Sequence, residues 1–141
     1  MQIFLVSDSK TGINFFSELE DFLQKKIADA DVDTIFVPFP EDVPAAVSNV
    51  LEEADLIFVF VLYEEMDYKV QTLLSKLVEA DMQGKTKIVK VVEESDVGNL
   101  NEMQLEKEKE KLAKKWGQFI IDLLFKPEKF EPKETPASGF L

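Results

Sequence analysis

The side chains able to do chemistry in this chain form a restricted set. It has no His and no Cys, and all 16 basic residues are Lys. The commonest base near neutral pH and the commonest metal ligand are therefore missing, together with thiolates, disulfides and the bidentate Arg clamp. Proton transfer has to run through carboxylates, Lys, Tyr, hydroxyls or water. Three stretches concentrate such groups. Ser7-Asp8-Ser9-Lys10-Thr11-Gly12 joins hydroxyls to an ammonium, and Val37-Pro38-Phe39-Pro40-Glu41-Asp42-Val43-Pro44 holds an acid pair in a proline-stiffened loop. Tyr63-Glu64-Glu65-Met66-Asp67-Tyr68 interleaves acids with aromatics. Glu64, Glu65 and Asp67 suit a paired-carboxylate acid/base site or a hard divalent cation. Acids preceding a helix are equally expected from its dipole with no function attached, and no metal ligand set is assigned.

These stretches follow strands. Asp55–Leu62 runs Asp-Leu-Ile-Phe-Val-Phe-Val-Leu, a buried strand too short to be an isolated helix. A strand without polar alternation is apolar on both faces, and a parallel sheet covered above and below by helices satisfies it. Gln2–Val6, Thr34–Phe39 and Lys87–Val92 are three further short strands, each followed by a segment of helical period. Right-handed crossovers then give a four-stranded parallel sheet of order 2-1-3-4 in a three-layer α/β/α fold. Helix one carries Ile13, Phe16, Leu19, Leu23 and Ile27, and helix two Val43, Val47, Val50 and Leu51 after an Asp42 cap. Helix three carries Met66, Val70, Leu73, Leu74, Leu77 and Val78, and Gly84 ends it. A long fourth helix capped by Asn99 or Asn101 buries Leu112, Trp116, Phe119, Ile120, Leu123 and Leu124 until Pro127 stops it. Residues 1–127 read as one domain and 128–141 as an irregular arm whose apolar end, Gly139-Phe140-Leu141, could dock on a neighbouring subunit.

A formal charge of −12 repels phosphate backbones and anionic lipid, so neither nucleic acid nor membrane is an expected partner. No apolar run approaches ~20 residues, and a cytoplasmic location is expected.

Two stretches carry a resemblance. Val37-Pro38-x-x-x-Asp42-Val43-Pro44-x-Ala46 resembles the Val-Pro-Gly-x-x-(Asp/Glu)-(Leu/Ile)-Pro-x-Ala loop of the lumazine synthase superfamily. Leu123-Leu124-Phe125-Lys126-Pro127-Glu128 resembles the carboxyl-terminal Leu-Leu-Phe-Lys-Pro-Glu of archaeal riboflavin synthases within it. The order of elements extends the likeness over nearly the whole chain. It implies a lumazine-synthase-like sheet with flavodoxin-like topology, homopentamers, sites shared between subunits, and a lumazine or flavin as ligand. Carried over by position, the ligand walls are Ser7, Asp8, Ser9, Lys10 and Thr11; Phe39, Pro40 and Glu41; and Leu62, Tyr63 and Glu64. Departures are concentrated in those walls. Phe39 stands where the family has Gly, Lys10 near a loop aromatic, and Gln71-Thr72-Leu73-Leu74 where the family has His-Glu-Ala-Ser. The expected protein is thus a riboflavin-synthase-like relative with a degraded catalytic set, its catalytic residues unassigned. It binds a lumazine or flavin or serves as an assembly partner, with no resident cofactor assigned. An active riboflavin synthase using Lys10, Glu41 and Tyr63 is the enzymatic alternative. A third reading comes from Ser9-Lys10-Thr11-Gly12-Ile13-Asn14, which resembles the flavodoxin phosphate loop and would make the chain an FMN carrier through Ser9, Thr11 and Asn14.

Overall fold

The computed structural model describes residues 1–132. Strands β1 (Gln2–Asp8), β2 (Asp31–Val37), β3 (Leu56–Tyr63) and β4 (Lys87–Glu94) form one sheet of order β2-β1-β3-β4. All three pairings are parallel. Helices α1 (Phe16–Lys26) and α4 (Glu102–Phe125) cover one face, and α2 (Val43–Val50) and α3 (Tyr68–Met82) cover the other. This is the flavodoxin-like three-layer fold that the strand pattern leads to.

The central strand divides its side chains between the two layers. Leu56, Phe58 and Phe60 enter the core under α1 and α4, while Ile57, Val59 and Val61 enter the core under α2 and α3. None of Leu56–Val61 is more than 3% exposed, as expected of a strand covered on both faces.

Element boundaries differ from the sequence reading in ways that bear on the site. β1 extends two residues beyond Val6, so Ser7 and Asp8 belong to a strand and are buried rather than in an open loop. Ladder pairing with Phe36 and Phe60 on both sides holds Ser7 there. β2 begins at Asp31 and ends at Val37, leaving Phe39 outside it. α1 starts at Phe16 instead of Ile13, because buried Phe15 turns its ring edge-on to Phe60 at 4.8 Å and the Asn14 side chain accepts the Phe16 N–H at 3.2 Å. Asp42 occupies the cap position of α2 but makes no capping hydrogen bond, a 3-10 turn at Pro40–Asp42 entering the helix in its place. Met66 is exposed and outside α3, whose cap is Asp67 accepting the Val70 N–H at 3.0 Å. At α4 the cap is Asn101, in a reciprocal capping box with Gln104.

On α4 the fully buried positions are Ala113, Gly117 and Ile120, with the larger Leu112, Trp116, Phe119, Leu123 and Leu124 half-buried around them. Small residues at the contact let α1 approach. A Cβ on Gly117 would lie 2.3 Å from Phe22 Cδ1. Past α4 the chain makes a 3-10 turn, Pro127–Phe130, and Phe130 packs on Phe119 at 5.4 Å. The expected docking end, Gly139-Phe140-Leu141, lies outside the described residues. Among the described residues no helix is long and apolar enough to cross a membrane.

Candidate functional site

In an open parallel sheet, neighbouring strands whose crossovers leave toward opposite faces open a crevice at their carboxyl ends. Here those strands are β1, which leads to α1 on one face, and β3, which leads to α3 on the other. A cavity of about 440 Å³ lies there, within the usual size of a small-molecule site. Lys10, Pro40, Glu41, Leu62, Tyr63 and Glu64 line it, drawn from three loops far apart in sequence. Glu65, Asp67, Lys69 and Val70 complete the wall.

Each loop has a local reason for its shape. Leu62 and Tyr63 end β3, and the Tyr63 carbonyl accepts the Ser95 N–H at 2.8 Å, which fixes the strand end against the β4 exit. Pro40 and Glu41 sit in the 3-10 turn that the two prolines stiffen. Phe39 is 47% exposed and lies outside the cavity lining, but Lys10 Nζ sits 5.2 Å from its ring centroid, so the ring holds the ammonium at the rim. Lys69 Nζ lies 3.8 Å from Glu41 Oε1 and ties the start of α3 to the proline loop.

The first loop is organised differently. Ser7 donates its hydroxyl to the Phe60 carbonyl at 2.6 Å, inside the sheet. Asp8, 2% exposed, accepts the Lys10 N–H at 3.0 Å and the Thr11 hydroxyl with its carboxylate. Thr11 Oγ1 in turn accepts the Leu62 N–H at 3.2 Å, so one hydroxyl bridges the exits of β1 and β3. Ser9 gives both its N–H, at 2.8 Å, and its hydroxyl, at 3.3 Å, to the Val37 carbonyl. Ser7, Asp8, Ser9 and Thr11 therefore hold the crevice together from behind and do not line it, and Asn14 is engaged with Phe16.

The acidic stretch behaves likewise. Asp67 caps α3, and no group of three or more acidic, His or Cys residues among the described residues is arranged to hold a metal ion. Gln71 and Thr72 stand exposed on α3, and Thr72 lines a second, larger groove of about 590 Å³ between α2 and α3. That groove also takes in Pro44, Ala45, Ser48, Tyr68 and Ala80, and meets the crevice at Glu41 and Lys69. We assign the site to the smaller cavity, because it lies at the strand ends where groups from separate elements converge. Nothing in the sequence alone singles out Lys69. Its only signal is its place in the first turn after the acidic loop.

Fold and crevice together define a small open α/β domain with a ligand-sized site at the switch point of its sheet. No family model matches the chain, and no curated protein matches it. Among solved structures, one described as "Solution structure of a phosphate-loop protein" is 18% identical, covers 84% of this chain and 94% of that chain, and has a TM-score of 0.39.

Proposed function

We propose that this chain is a diverged relative of the lumazine and riboflavin synthases that binds a lumazine- or flavin-like heterocycle in the crevice without turning it over. The observation that carries the reading is convergence: Lys10, Pro40, Glu41, Leu62, Tyr63 and Glu64, assigned to ligand walls by resemblance, line one cavity of ligand size. Tyr63 offers a phenol ring for stacking, Leu62 and Pro40 offer apolar walls, and Glu41 and Glu64 accept hydroxyl donors. Dismutation of 6,7-dimethyl-8-ribityllumazine must move protons at a ring methyl, work that positioned acid/base groups accelerate by ~10²–10⁴-fold. The position of the family's His-Glu pair carries Gln71 and Thr72, neither a base near neutral pH, and both belong to α3 away from the crevice lining. The proposal extends to a cytoplasmic homo-oligomer, a pentamer first, since the resemblance implies sites completed by a neighbour.

Titration of purified protein against 6,7-dimethyl-8-ribityllumazine, read by ligand fluorescence, tests binding, and riboflavin absorbance against a protein-free control tests turnover. The expected result is saturable binding in the ~1–100 μM range with no riboflavin formed above the control. Absence of binding over that range overturns the reading. Turnover abolished by Lys10→Met, Glu41→Gln or Tyr63→Phe would replace it with the active enzyme. Native mass spectrometry reads the subunit number directly.

A further inference from the structure

We infer that the crevice selects the unphosphorylated form of its ligand and that Asp8 is the residue that sets this selectivity. The inference rests on the proposed ligand class and specifies it. A first βα loop holds a phosphate by turning backbone N–H groups and hydroxyls toward it. In this chain the backbone N–H and hydroxyl donors of Ser9, Lys10 and Thr11 are already engaged. The Asp8 carboxylate, buried at the end of β1, accepts the Lys10 N–H and the Thr11 hydroxyl, and the Thr11 N–H points at the Asp8 carbonyl at 3.4 Å. Ser9 gives its N–H and hydroxyl to the Val37 carbonyl. From behind the crevice wall a buried protein anion thus takes loop donors that a phosphate would use, and Thr11 ties this arrangement to β3 by also accepting the Leu62 N–H.

Charge in front of the loop acts in the same direction. Four carboxylates, Glu41, Glu64, Glu65 and Asp67, line the crevice against two ammonium groups. Of the two, Lys69 is beside Glu41 and Lys10 lies over the Phe39 ring. A dianionic phosphate entering this space meets like charge and finds the Ser9, Lys10 and Thr11 main-chain donors engaged, whereas a sugar-alcohol chain can donate its hydroxyls to the same carboxylates.

The test is a pair of fluorescence titrations on the full chain, one with riboflavin and one with riboflavin 5′-phosphate, at about 0.05 M salt so that screening is weak. Riboflavin is expected to bind at least about tenfold more tightly. Asp8→Asn removes the charge but leaves a side chain of the same shape, and is expected to bring the ratio of the two dissociation constants toward one. A structural role alone would weaken both ligands together and leave the ratio unchanged. Should Asp8→Asn fail to fold, as read by circular dichroism, the exposed pair Glu64→Gln and Glu65→Gln reads the charge part, with an expected fall in the ratio of about two- to fivefold. Equal or tighter binding of the phosphate form by the native chain overturns the inference, as does a ratio unmoved in a folded Asp8→Asn protein. If neither flavin nor 6,7-dimethyl-8-ribityllumazine binds, the proposed function itself falls, and this selectivity with it.

Discussion

The two faces of the sheet are packed to different ends. Under α1 and α4 the core is aromatic: Phe15, Phe16, Phe58, Phe60 and Trp116 meet with ring centroids 4.8–6.3 Å apart, mostly edge-on or tilted. Gly117 admits a neighbouring ring so closely that no Cβ fits. Under α2 and α3 the core is chiefly aliphatic, built on Val6, Val47, Val59, Leu73 and Leu77. α2 is only eight residues long and presents Pro44, Ala45 and Ser48 to α3, so the two helices leave a groove between them. The same contrast holds at the strand ends. The first loop, leading to α1, closes on itself through Asp8 and Thr11, and the third loop, leading to α3, stays open and lines the crevice. Large rings fill one layer and hold the frame, while small side chains and a short helix leave a groove in the other.

The contrast is most directly broken at the central strand. Phe58→Ala, on the aromatic face, is expected to cost ~3–5 kcal/mol, and Val59→Ala, its neighbour facing α2 and α3, about 2 kcal/mol, in urea unfolding. Equal losses would show that the aromatic layer closes around its larger gap better than the aliphatic layer does.

Gly117→Ala and Ala45→Leu compare added bulk on the two faces. The first raises helix propensity by at most about 1 kcal/mol but pushes a methyl into the Phe22 ring, and a net loss of ~1–3 kcal/mol is expected. The second adds three carbons at an exposed position of the open groove and is expected to change stability by less than about 0.5 kcal/mol. A stabilised Gly117→Ala protein would mean that the α1–α4 contact yields easily.

Thr11→Val removes the hydroxyl that joins the exits of β1 and β3 and strips a partner from both Asp8 and the Leu62 N–H. A loss of ~1–3 kcal/mol is expected, with faster hydrogen exchange at Leu62. Unchanged exchange there would show that the first loop does not brace the crevice.

The smallest expected effect lies at the end of α4. Gln118 donates to Asp122 at 3.0 Å, and Lys129 Nζ, 3.3 Å away, adds a second bond and its charge, so the Asp122 carboxyl is held below the ordinary carboxylate value. A carboxyl lowered on folding contributes stability above its unfolded-state pKa and loses it as pH falls through the folded-state value. Acid titration followed by NMR is expected to show the Asp122 shift disappearing in Asp122→Asn and diminishing in Lys129→Met. The Lys129 ammonium is exposed and screened by solvent, so the contribution to stability is small.

Most of the frame is determined by local pattern. Seven apolar residues after Asp55 can only be a strand covered on both faces, Gly84 with its φ of 70° ends α3 as its lack of a Cβ allows, and Asn101 caps α4 through a side chain three residues from its partner. These features depend on neighbours within a turn or on burial of whole faces, so sequence carries them. What sequence could not carry is which polar groups meet. Ser7, Asp8, Ser9 and Thr11 read as ligand-facing because their types suit a ligand, but pairing of β1 with β2 and β3 turns Ser7, Ser9 and Thr11 onto Phe60, Val37 and Leu62 and leaves Asp8 accepting from Lys10 and Thr11. Lys69, unremarkable as a residue in a row, becomes part of the crevice because Glu41 arrives from another loop. A side chain's type limits the bonds it can make, and only the packed sheet decides which partner comes within reach.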